Sequence, residues 1–242
     1  MNVFSKLISD FDDALFPGFR CYVCGREVEN CEMHLCNNCR KIFPFITGDI
    51  CIKCGMPIRT YNTYCDTCKE FKYYFDEARA SFLYDDVSHI LIHRLKYGGA
   101  KYIAEYFGVL LADVYKNWGI HVDMIIPVPL HEKRLKARGY NQSTLIAESL
   151  SKLIGVEVRE DIIRRKVNTS TQTALTREER SKNLKDVFEF ISNEKLSGKN
   201  ILILDDVFTT GATTNEIAKM LRKHKPNKIY VISAGKTKYF NE

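Results

Sequence analysis

With 242 residues, 45% of them apolar, the chain is long enough for one α/β domain of ordinary size plus a small module, and global disorder is excluded. No apolar run approaches the roughly 18 residues needed to span a bilayer. The opening MNVFSKLISDFDDALFPG lacks a secretory pattern, so a cytoplasmic location without membrane insertion is expected. The net charge of +6 is unevenly placed: residues 1–75 hold nine Lys/Arg and nine Asp/Glu, so the whole excess falls beyond them. Such a balance suits a phosphate-bearing ligand or nucleic acid.

In chain order, Phe4, Leu7, Ile8, Phe11 and Leu15 share one face of a short amphipathic helix that ends near Pro17-Gly18. Four C-x-x-C knuckles follow, beginning at Cys21, Cys36, Cys51 and Cys65, at intervals of 15, 15 and 14 residues. The turn-rich pieces between them can bury little apolar surface, so another force must hold the segment together. A C-x-x-C turn presents two thiolates at the separation a tetrahedral zinc ion requires, and two knuckles complete a site. The simplest assignment gives one ion Cys21, Cys24, Cys36 and Cys39, and a second Cys51, Cys54, Cys65 and Cys68. Spacing alone leaves an interleaved pairing open. Disulfides are disfavoured without a secretion signal. Cys31 and His34 fall outside the knuckle pattern and read as structural filler.

From about Phe75 the texture changes, which divides the chain into a module at 1–74 and a domain at 75–242. Strands are expected at Ala78–Tyr84, Met124–Val128, Ile201–Leu204 and Ile229–Ser233. Helices are expected at Asp86–Tyr97, Lys101–Asn117, Gln142–Leu153 and Ala212–Lys223. Strands alternating with helices indicate a mostly parallel sheet flanked by helices. His89, His93 and Lys96 share a helical face and read as an ordinary polar surface. Arg164–Lys185 is rich in Thr, Ser, Arg and Glu and reads as a long loop.

The stretch ILILDDVFTTGAT, Ile201–Thr213, carries the most specific chemistry. An apolar strand ends in Asp205-Asp206, and Thr209, Thr210, Gly211, Ala212 and Thr213 lead into a helix. Ligands of open α/β sheets sit at the carboxyl ends of strands. The new helix offers unpaired N–H groups, Gly211 permits close backbone approach, and the threonines add hydroxyl donors. That makes a monophosphate cradle, with two carboxylates placed for neighbouring ribose hydroxyls. No G-x-x-x-x-G-K-[ST] occurs, so a P-loop is excluded.

This segment resembles the phosphoribosyl-diphosphate (PRPP) motif of type I phosphoribosyltransferases. With the knuckles, IHRLKYGGAKYIA at Ile92–Ala104, IIPVPLHEKRLKARGYNQS at Ile125–Ser143 and RRKVNTSTQTALTREERSKNLKDVFEF at Arg164–Phe190, the chain resembles the ComF family of competence proteins. The resemblance implies a type I phosphoribosyltransferase fold with an N-terminal double zinc ribbon, binding PRPP with Mg²⁺. It implies that Asp205 and Asp206 hold the ribose and that Thr209–Thr213 hold the 5-phosphate. Pro127 and Val128 would shape the loop facing pyrophosphate, with Arg134, Lys136 and Arg138 supplying charge. Gln172, Arg180 and Asn183 would belong to a lid. It further implies a part in DNA uptake beside single-stranded DNA and the competence helicase machinery. The expected activity is phosphoribosyl transfer to an unidentified acceptor; the alternative is a non-catalytic, PRPP-responsive DNA-binding or adaptor protein.

Overall fold

The computed structural model describes residues 20–27, 34–59, 61–167 and 186–238. The N-terminal helix expected over Phe4–Leu15 lies outside them, as does Cys31. A four-stranded, wholly parallel sheet runs in the order β1 (Glu77–Tyr84), β6 (Lys228–Thr237), β5 (Asn200–Phe208), β2 (Met124–Pro127). On one face lie α3 (Asp86–Tyr97), α4 (Ile103–Trp118) and α6 (Gln142–Ile154), packed with Leu202, Leu204 and Ile232. On the other, α7 (Ala212–Arg222) packs with Ile201, Ile203 and Val231. The central strands are apolar on both faces over Ile201–Leu204 and Ile229–Ile232, because both faces are covered there. Among the described residues no helix is long and apolar enough to cross a membrane.

Local chemistry sets the helix ends. Asp85 caps α3, accepting from Val87 and Ser88 N–H groups while Ser88 accepts from the Asp85 N–H, a capping box. Asn141 caps α6 and also donates from its side chain to the Val128 carbonyl at 3.0 Å, which ties that helix to the end of β2. Between them the basic run HEKRLKAR forms a short helix, α5 (Glu132–Arg138), closed by Gly139 at φ 81°.

Several elements extend beyond the sequence reading. Strand β5 continues through Asp205-Asp206 to Phe208, because β6 is itself long enough to pair with it as far as Lys236. Arg164 and Arg165, expected in a loop, lie in strand β3 (Ile163–Arg165), which pairs antiparallel with β4 (Phe188–Phe190). Residues 168–185 of that segment, with Gln172, Arg180 and Asn183, lie outside the described residues.

The sheet has one irregular row. Pairing runs from Ala80–Ser233–Asp205 to Phe82–Gly235–Val207 and omits Ser81, Ala234 and Asp206 between them. Past this row the alternation of faces reverses: Val207 packs with the α3 side and Phe208 with the α7 side. A change of face at a local break in the ladder is how a strand re-aims side chains at a site.

The knuckles do not form a separate bead. Phe45 bridges Phe82, Ile46 N–H donates to Ser81 at 3.0 Å, and Ala78 N–H donates to Lys53 at 2.8 Å. The segment therefore covers the outer edge of β1, an edge that would otherwise be open to pairing with another chain.

Candidate functional site

Each of the two metal centres takes its sulfurs from consecutive knuckles. Cys21, Cys24, Cys36 and Cys39 converge, as do Cys51, Cys54, Cys65 and Cys68, with all four sulfurs of each set within 4.8 Å of one another. The sequential pairing therefore holds over the interleaved one. In each set the first knuckle closes with a glycine in the left-handed region, Gly25 at φ 73° and Gly55 at φ 70°, and the second opens a helix, α1 (Asn37–Ile42) or α2 (Asp66–Glu70). The Cys24–Cys36 and Cys54–Cys65 sulfurs stand 3.7 Å apart. A tetrahedron with Zn–S bonds of about 2.3 Å has edges of about 3.8 Å, so the spacing fits zinc and is far too long for a disulfide. Within the second set the other thiols hold Cys51 far below the usual thiol range, while Cys65 and Cys68 are pushed far above it. Four such sulfurs ionise together only around a cation. These residues fit two structural zinc ions. His34 joins neither set; it stacks on Tyr22 with ring centroids 4.6 Å apart.

The second centre of chemistry stands where β5 ends. Asp205 and Asp206 lie within the strand, and Asp206 is 5% exposed. At the irregular row it faces α3 and α6, where Lys96 forms an ion pair with it and the Gln142 side-chain amide approaches at 3.4 Å. Ser143 Oγ lies 3.4 Å from Asp205 Oδ1, which also accepts from the Asp206 N–H at 2.9 Å. The two carboxyls titrate apart. Burial, with Asp206 beside it, pushes Asp205 up to about 8. Burial works against the Asp206 carboxylate too, but the Lys96 ammonium, together with hydrogen bonds from Asp205 and Gln142, outweighs it and holds the group below the usual range. At neutral pH one carboxyl can donate a hydrogen bond while its neighbour accepts.

Beyond the strand, Thr209, Thr210 and Gly211 turn into α7, whose first residues are Ala212 and Thr213. Gly211 is the N-cap at φ 76° and supplies no side-chain cap. Among the described residues, only the Ala212 N–H of the first turn meets a side chain, the Thr210 hydroxyl, and that contact is long enough to yield to a ligand. Only glycine fits here: a Cβ would lie 2.4 Å from the Phe208 ring. Thr210 bends back, its hydroxyl 3.4 Å from the Ala212 N–H.

Lys96, the partner of Asp206, also lines an open cavity of about 510 Å³ together with Tyr97, Arg134, Arg138 and Tyr140. Arg138, the last residue of α5, contacts the Gln142 side chain and lies 5.1 Å from the Tyr97 ring centroid. Arg165, on β3, is within electrostatic reach of Arg134 and Asp205. Pro127 and Val128 are buried and contribute through the backbone: the Val128 N–H donates to Leu204 at 2.8 Å and fixes where the α5 loop departs. Lys136 is exposed and does not line the cavity.

The structure thus places the acidic pair directly before the Thr209–Thr213 turn, and connects it to the α5 arginines through Lys96 and Gln142. Sequence reasoning missed Lys96, Arg165, Gln142 and Ser143 as members of the site. Lys96 had a readable signal, since it lies four residues after Ile92 and adjoins Leu95, both on the buried stripe of α3.

Known proteins agree with this architecture. Residues 11–69 match the double zinc ribbon domain, and residues 140–240 match the phosphoribosyl transferase domain. Competence protein F of Haemophilus influenzae is 32% identical, over 86% of this chain and 93% of that one. The DNA utilization protein YhgH of Escherichia coli O157:H7 is 30% identical over 86% and 92% of the two chains. Competence protein ComFC of Bacillus subtilis is 28% identical over 77% of each. With its ribbons and its phosphoribosyltransferase-like sheet domain, the chain belongs to the ComF family of competence proteins.

Proposed function

We propose that the chain binds PRPP with Mg²⁺ at the end of β5 and is built to transfer its phosphoribosyl group in the service of DNA uptake. One observation carries this reading: two adjacent carboxyls, Asp205 and Asp206, stand near the end of β5 directly before a helix whose glycine N-cap supplies no side chain. A 5-phosphoribosyl group presents a phosphate and vicinal hydroxyls at that separation. In this reading the Ala212 and Thr213 N–H groups and the threonine hydroxyls take the phosphate. Asp205 and Asp206 take the ribose. Lys96, Arg134 and Arg138 face the pyrophosphate from the cavity wall. Mg²⁺ would neutralise charge on the leaving pyrophosphate. The chain's own contribution is to hold the reacting carbon in place and surround the departing charge with fixed cations. Replacing Asp205 and Asp206 with Ala should abolish PRPP binding and leave zinc content near wild type in a chain that still folds, with a melting temperature lowered by loss of the Lys96 pair; retained affinity would sink the site assignment.

A second reading, single-strand binding, is favoured by one surface. Tyr84, His89, His93 and Tyr97 form a ladder with ring centroids 5.8, 5.4 and 5.0 Å apart, ending where Arg138 stacks on Tyr97. Aromatic steps leading into a cationic cavity suit unpaired bases and their backbone. The two readings are compatible, and the names of the relatives, competence protein and DNA utilization protein, support a role in handling DNA.

A further inference from the structure

The second ribbon is linked to the turn at Thr209–Thr213 by three routes, each through an intervening residue. Lys53 lies inside the third knuckle, between Cys51 and Cys54, and its ammonium contacts the Phe75 carbonyl and sits 5.4 Å from the Phe75 ring. Phe75 meets Phe208 edge-on at 5.9 Å, and Phe208 is the ring on which Gly211 rests. Seven residues beyond the cluster's Cys68 stands that same Phe75, and in the connecting chain Tyr73 Oη donates to the Thr210 carbonyl at 3.2 Å. The Tyr74 N–H donates to the side chain of Asn215, in the first turn of α7, at 2.7 Å. The third route runs through Lys236, a lysine with no exposed surface. It pairs in register with Phe208 on one side and with Leu83 on the other, and Leu83 packs against the second cluster. Its Nζ lies 3.9 Å from the Phe208 ring centroid, so the side chain packs under that ring.

Resting on the phosphate-loop reading above, we infer that the second zinc ribbon positions the phosphate loop, with Tyr73, Lys53 and Lys236 as positioning residues. The metal fixes the knuckles, the knuckles fix Phe75 and Phe208, and those rings with Tyr73 fix Thr210 and Gly211 in the geometry a phosphate needs. Ligand at the loop and metal at the ribbon then stabilise each other, because such coupling is reciprocal.

The test uses the zinc-loaded full chain and ribose 5-phosphate as the probe. Calorimetry is run on wild type, Tyr73→Phe, Lys236→Met and Lys236→Arg, with zinc content measured for each. Loss of the tyrosine hydroxyl should weaken ribose 5-phosphate about two- to tenfold, the worth of one hydrogen bond, at unchanged zinc content. Lys236→Met should weaken binding and speed zinc transfer to a chelator, and Lys236→Arg should restore both. Saturating ribose 5-phosphate should slow zinc transfer from wild type. If Lys236→Met does not fold, Tyr73→Phe decides alone. Wild-type affinity in Tyr73→Phe, together with zinc transfer indifferent to ligand, overturns the coupling. A wild type that does not bind ribose 5-phosphate overturns the phosphate-loop reading and this inference with it.

Discussion

Replacing Lys96 with Met removes the charge that lets Asp206 stay ionised in a nearly buried position. The Lys96 side chain is 23% exposed and that of Asp206 7%. Breaking a buried pair by deleting one partner costs about 3–5 kcal/mol. Partial exposure of the lysine and uptake of a proton by Asp206 reduce that, so Lys96→Met should cost about 2–3 kcal/mol at pH 7.5. In a chain of this size the loss corresponds to a fall in melting temperature of about 5–10 °C. The sign with pH follows from the direction of the shift. Asp206 is held below the usual carboxylate range, so its stabilising contribution is present at neutral pH and lost as pH falls through its folded value. In Lys96→Met burial acts on Asp206 without the opposing ammonium and raises it, so the variant takes up a proton and the gap to wild type should narrow between pH 7.5 and 5. Thermal melts of wild type, Lys96→Met, Asp206→Asn and the double variant at pH 7.5 and 5 form the assay. The double variant should be about 2 kcal/mol more stable than the sum of the single losses, as expected for a pair in contact. Additive losses, or a Lys96→Met penalty that does not depend on pH, would refute the argument.

Three further outcomes are expected. Without Mg²⁺, ribose 5-phosphate affinity should fall as pH rises through about 8, where Asp205 gives up its proton and sets a second negative charge beside the anion; Asp205→Asn should flatten that profile. Gly211→Ala forces a Cβ onto the Phe208 ring at positive φ and should destabilise by about 2–4 kcal/mol while abolishing phosphate binding; a melt unchanged from wild type would mean the loop can move aside. His89→Ala with His93→Ala should weaken single-stranded DNA about tenfold in a fluorescence titration and leave ribose 5-phosphate affinity intact; unaltered DNA binding would remove the aromatic ladder from the account.

Much of the fold was legible because periodicity is a local signal. Helix α3 coincides with its expected span, since Asp85 and Ser88 mark its start and Leu91, Ile92 and Leu95 mark its buried stripe. The knuckles were legible from spacing alone, and the turn at Thr209–Thr213 from its strand–carboxylate–glycine order. What was not legible is what long-range pairing decides. The extra length of β5 and β6 depends on their register with each other, and the change of face at Asp206 depends on a row shared by three strands. Nothing local in Lys236 marks it as buried beside Phe208, and nothing in Lys53 marks it as a neighbour of Phe75. Arg165 reads as one polar residue among many until the β3–β4 pairing carries it towards Asp205.

The central claim is that the end of β5 is a PRPP site. Calorimetric titration of the zinc-loaded chain with PRPP and Mg²⁺ tests it most directly. Saturable binding that ribose 5-phosphate competes away is the expected result. No heat at millimolar PRPP, or binding that ribose 5-phosphate leaves untouched, would contradict it.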